Sequence, residues 1–115
     1  MAQNADQRVA LFSKTCLPRL VERYHPTRVL LFGSRARGTA LTRESDLDLL
    51  IVSDAFAGMP FLLRAGEVLW TLQAPFPVEV LCYTPEEYSR KKEELGIVRV
   101  ATEEGLDLLP PVLTS

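Results

Sequence analysis

The stretch that most constrains this chain is Asp46-Leu47-Asp48-Leu49-Leu50-Ile51-Val52, two acids two residues apart at the head of an apolar run. Such a run, ending in β-branched residues, predicts a buried strand. Side chains alternate along a strand, so Asp46 and Asp48 share one face with Cα atoms roughly 6.5 Å apart. Leu47, Leu49 and Ile51 then point the other way. Two ionised carboxylates this close repel, and beside a buried strand they are expelled unless a cation neutralises them. A hard, oxygen-seeking divalent ion such as Mg²⁺ suits the pair best.

Upstream, Arg28-Val29-Leu30-Leu31-Phe32 is a short apolar run that stops at Gly33-Ser34, as a buried strand does at a tight turn. Gly33 lets the backbone come close to a ligand, and Ser34 with the amides after it can donate to phosphate oxygens. Arg35, Arg37 and Arg43 outweigh Glu44, so the loop is positively charged and stands beside the carboxylates. Arg35 and Arg37 suit either further phosphate contacts or a solvated loop. A P-loop is excluded by its residues: Gly33 and Gly38 match its glycines, but Thr39-Ala40 stands where Lys followed by Ser or Thr must reach the phosphates and the metal.

A second apolar segment, Val78-Glu79-Val80-Leu81-Cys82-Tyr83, predicts another strand, with Glu79 on one face and Val78, Val80 and Cys82 on the other. An acid flanked by valines either marks a sheet edge or adds a third ligand to the aspartate pair.

The combination of Gly33-Ser34, eleven intervening residues and Asp46-Leu47-Asp48 with apolar flanks resembles the signature of the DNA polymerase beta-like nucleotidyltransferase superfamily. More narrowly, Leu31-Phe-Gly-Ser-Arg-Ala-Arg-Gly38 followed by Ser45-Asp-Leu-Asp-Leu-Leu50 is similar to the minimal nucleotidyltransferase (MNT) proteins, over about residues 25 to 105. The resemblance implies an α/β (α+β) nucleotidyltransferase fold, a small mixed sheet covered by helices. It also implies that Asp46, Asp48 and Glu79 bind two Mg²⁺ ions and carry catalysis, and that Gly33, Ser34, Arg35, Arg37 and Ser45 contact the nucleotide. The third carboxylate of the superfamily is usually Asp, and Glu79 is one methylene longer. ATP is the donor that the resemblance implies. The acceptor hydroxyl would be presented by a separate all-helical HEPN protein, with this chain as the antitoxin half of a toxin–antitoxin system. Two other readings stand beside it: an antitoxin that blocks a toxin by contact alone, and a small-molecule nucleotidyltransferase whose pocket is completed by dimerisation.

Composition narrows the classes further. With 115 residues, 47% of them apolar and 24% charged, the chain is expected to form one domain, with a core over about residues 25–109 and a tail at 110–115. A formal net charge of −2 provides no general basic field for long nucleic acids or anionic membranes. Neither a signal peptide nor a membrane span is legible, so a cytoplasmic location is expected. Cys16 and Cys82 lie alone in apolar surroundings and read as buried, reduced thiols.

Elsewhere the pattern predicts helices. Val9, Phe12, Cys16, Leu20 and Tyr24 recur at helical steps across a segment that Pro18 interrupts and His25-Pro26 ends. Pro60 opens a helix in which Phe61, Leu62, Ala65, Val68, Leu69 and Leu72 are expected to cover the sheet. Leu63 and Trp70 fall on nearly the opposite side, a candidate association surface for a partner chain such as the helical HEPN protein. Thr84 reads as the N-cap of a helix from Pro85 to about Leu95, with Glu87 reaching Lys91. Ile97–Glu104 is expected to be helical, and Leu106–Leu109 to return as a short edge strand.

Overall fold

A computed structural model describes residues 3–33 and 47–109, with side chains from residue 7 onward. Helix α1 (Gln3–Leu11) runs through a π-helical turn (Phe12–Cys16) into α2 (Leu17–Tyr24). The wide turn has a local cause. Pro18 has no N–H to give its preceding turn, and the Leu17 N–H bonds instead to the Phe12 carbonyl, five residues back. Helical continuity survives, so Phe12, Cys16, Leu20 and Tyr24 still fall on one buried stripe. His25 closes α2 in the left-handed region, its N–H on the Val21 carbonyl, so the lone histidine is a helix cap.

Strands β1 (Arg28–Phe32), β2 (Leu47–Val52), β3 (Val78–Tyr83) and β4 (Leu106–Asp107) form a mixed sheet of order β3-β2-β1-β4. β1 pairs antiparallel with β2 and with β4, while β2 and β3 are parallel. The parallel pair requires a crossover, which α3 (Phe61–Leu72) supplies. This is the mixed sheet covered by helices that the family resemblance implied.

Both faces of the sheet are covered, which explains why β1 and β2 read as continuous apolar runs. On one face Val29, Leu31, Leu47, Leu49, Ile51, Val80 and Cys82 pack under α2, α3 and the π turn. Each such side chain contributes about 1.5–3 kcal/mol on burial. On the other face Leu30, Phe32, Leu50, Val52 and Tyr83 meet a smaller cover made by α4 (Pro85–Lys91) and α5 (Ile97–Glu104), through Tyr88, Val98 and Ala101. That second cover ends short of Asp48.

The burial of α3 differs from the expected face. Val68 and Leu72 are fully buried, but the third member of their stripe is Arg64, 5% exposed, while Leu62 is 88% exposed and Leu69 39%. Apolar residues surround most of this helix, so periodicity alone does not select the arc that packs; the position of β3 does. Arg64 is tolerated inside because its guanidinium is fully engaged. Nε donates to the Met59 carbonyl at 3.0 Å, Nη1 to the Cys82 carbonyl at 3.1 Å and to Glu87 Oε1 at 2.6 Å, and Nη2 to Glu87 Oε2 at 3.2 Å.

Glu87 therefore turns to Arg64 and not to Lys91, as the sequence had suggested. It also completes a capping box, accepting from the Thr84 N–H at 2.9 Å while Thr84 Oγ1 accepts from the Glu87 N–H. The Arg64 hydrogen bonds hold the Glu87 carboxyl down at about 2. α4 stops at Lys91, earlier than the predicted Leu95, because residues 92–96 turn before Gly96. No helix among the described residues is long and apolar enough to cross a membrane.

Candidate active site

The register of the sheet assembles the site. Phe32 pairs with Asp48 across β1 and β2, and Asp48 pairs with Glu79 across β2 and β3. The two acids thus occupy one rung of adjacent strands, roughly 4.8 Å apart along the hydrogen-bonding direction. Partners in one rung project to the same face, here the face that α4 and α5 only partly cover. Asp48 is half-buried and Glu79 exposed.

Gly33 follows Phe32 with φ 81°, a left-handed conformation that suits glycine. A Cβ at this position would lie 2.6 Å from Asp48 Oδ2. The absent side chain therefore leaves the Asp48 carboxylate uncrowded at the point where the chain leaves β1. A cleft of about 320 Å³ opens over these residues. Gly33, Asp48 and Glu79 line it together with Phe32, Val80, Leu81, Ile97 and Val100.

The sequence-predicted site thus divides. Gly33, Asp48 and Glu79, which lie up to 46 residues apart in the chain (79 − 33 = 46), are brought to one cleft. Ser34, Arg35, Arg37, Ser45 and Asp46 lie outside the described residues. The cleft wall formed by Ile97 and Val100 was not anticipated from the sequence. Its only trace there is a second apolar pair three residues apart in α5, beside the Val98 and Ala101 face that packs on the sheet.

The donor set fits a hard divalent cation. Asp48 and Glu79 offer carboxylate oxygens only, and glycine at 33 keeps a side chain out of the space of Asp48 Oδ2. Among the described residues no group of three or more His, Cys, Asp or Glu is close enough to hold a metal, and Asp46, the other expected ligand, lies outside them. A thiol nucleophile is excluded near β3: burial pushes Cys82 up to about 12, and both Cys82 and Cys16 are free and buried.

A family profile described as the nucleotidyltransferase domain matches residues 13–108, which include the whole sheet and the cleft. The chain belongs to the nucleotidyltransferase domain family. A provisionally assigned nucleotidyltransferase of Sulfolobus solfataricus shares the fold, with a TM-score of 0.62 at 21% identity over 92% of this chain and 84% of that one. BolA1 of Arabidopsis thaliana superposes on a smaller part, with a TM-score of 0.53 at 18% identity over 66% of this chain and 94% of the other. At such identities both likenesses are of fold alone. No curated protein sequence matches. For a nucleotidyltransferase, an acid rung beside a glycine turn at a strand end is a site suited to phosphoryl chemistry.

Proposed function

We propose that this nucleotidyltransferase transfers AMP from ATP to a hydroxyl of a partner protein, and that the partner is an all-helical HEPN toxin which the transfer silences. The observation that carries the catalytic half is the Asp48–Glu79 rung facing a cleft beside Gly33. The antitoxin half is supported by the resemblance of residues 31–38 and 45–50 to the minimal nucleotidyltransferases.

In this reading Asp46, Asp48 and Glu79 would hold Mg²⁺. When bound, the ions supply charge neutralisation for the departing pyrophosphate and acidify the attacking hydroxyl. The chain's own residues do the rest. Gly33 and Ser34 present backbone and hydroxyl donors to the triphosphate, with Arg35, Arg37 and Ser45 flanking it. The acceptor oxygen attacks the α-phosphorus in line with the α,β-bridging oxygen, that P–O bond breaks, and pyrophosphate leaves. Glu79, the more exposed acid, accepts the acceptor's proton.

The deciding experiment incubates the chain and its partner with α-labelled ATP and Mg²⁺. Label on the partner, released by neither heat nor detergent and lost in Asp48→Asn, is expected. Full neutralisation of the toxin by Asp48→Asn without any label would refute the catalytic reading and favour inhibition by contact.

A further inference from the structure

Among the described residues α3 exposes more large apolar side chains than any other helix. Leu62 is 88% exposed, Leu63 63%, Leu69 39% and Trp70 76%. At 100° per residue these four span about 120° of the helix, with no charged residue inside the arc. Gly66 lies at its centre, both around the helix and along it: Leu62 and Leu63 are four and three residues before it, Leu69 and Trp70 three and four after. Glycine weakens a helix interior relative to alanine. Nothing among the described residues requires it here, since its φ is not positive and a Cβ would meet none of them within 4 Å.

We propose that α3 is a self-association surface, through which two copies of this chain pair antiparallel about a two-fold axis at Gly66. The near-symmetric spacing makes the surface complementary to itself. An antiparallel copy sets Leu62 and Leu63 of each protomer against Leu69 and Trp70 of the other, and the facing glycines let the backbones approach closely. The uncharged arc opposes no like charges. The exposed side chains offer on the order of 600 Å² per copy, hence about 1,200 Å² in the pair, the lower end of a stable interface. An interface of that size suits a reversible dimer, and we place its dissociation constant on the order of 10 µM as the value to test. Because α3 covers the sheet face opposite Asp48 and Glu79, both clefts remain open in the dimer. The inference is thus independent of the proposed acceptor.

Sedimentation equilibrium of the full chain from about 1 to about 300 µM tests it, bracketing that constant. The wild type is expected to pass from monomer to dimer, and Leu62→Glu or Trp70→Glu to weaken the dimer about 100-fold while leaving the melting temperature unchanged. Gly66→Ala is the sharper probe. It should raise the melting temperature, as an exposed helix interior predicts, yet weaken self-association about 10-fold. A chain that stays monomeric over the whole range overturns the proposal, even if the same residues capture a different protein. So does a dimer that survives Trp70→Glu, and a Gly66→Ala variant that gains stability with no loss of association removes the axis from Gly66.

Discussion

Glu79 and Glu87 are neighbours in sequence and opposites in circumstance. Glu87 meets a buried guanidinium and a helix N-terminus, and both its oxygens are used within the fold. Glu79 shares a strand rung with a second acid and opens onto a cleft. A carboxylate placed against a cation lowers the energy of the folded chain. One placed beside another carboxylate is repelled by it unless a cation neutralises the pair. The first kind of site stabilises the fold; the second is the one for which we propose chemistry.

The comparison breaks most readily at Asp48. Asp48→Asn is expected to lower nucleotidyl transfer by about 10³-fold or more, while the melting temperature holds or rises as one charge leaves the rung. Initial-rate assays beside thermal melts check both halves; a variant that is active, or that unfolds, would place Asp48 with Glu87 as a structural acid. Next in size is Arg64→Ala, which strands Glu87 and empties the Met59 and Cys82 carbonyls. Urea unfolding should record a loss of about 3 kcal/mol, with turnover per folded molecule preserved.

Gly33→Ala probes the join between the two kinds of site. It asks a side chain to adopt φ 81° and to enter the space of Asp48 Oδ2. Activity is expected to fall about 100-fold and stability by about 1–2 kcal/mol. Loss of stability without loss of activity would show that the cleft does not use this approach.

The smallest effect is the pH dependence of Glu87. Its folded value, about 2, is depressed below the ordinary 4.5, so its contribution is fully present above about 4.5 and is lost as pH falls towards 2. Solvent reaches part of this side chain, which reduces the expected contribution to about 1–2 kcal/mol. Comparing wild type with Glu87→Gln by urea unfolding between pH 5 and about pH 2.5 isolates it. Parallel curves for the two proteins would mean that the Arg64 contact leaves no mark on acid stability.

Much of this was legible from local rules. The continuous apolar runs of β1 and β2 announce strands buried on both faces, Thr84-Pro85 with Glu87 spells a capped helix start, and Gly33 marks a strand that ends in a turn. Alternation along β2 and β3 assigned Asp48 and Glu79 to the face away from the main core. What periodicity could not resolve was α3, where apolar residues run around most of the helix and Arg64 is the buried one. Nor could it foresee that Glu87 would prefer Arg64, 23 residues away, over Lys91 one turn on. Among the described residues Glu87 is the carboxylate that meets the buried guanidinium, and the demand of that guanidinium outweighs a solvated pair.

The amino-acid order by itself determined which segments are strands and helices, which face of each strand carries acid, and the family to which those motifs point, because these depend on alternation, capping and turn chemistry within a few residues. Only the tertiary structure decided that Asp48 and Glu79 meet in a single rung, that Ile97 and Val100 wall their cleft, and which side of α3 stays outside. Those outcomes depend on strand register and on which surfaces compete for the same core, and no local stretch of chain contains that information.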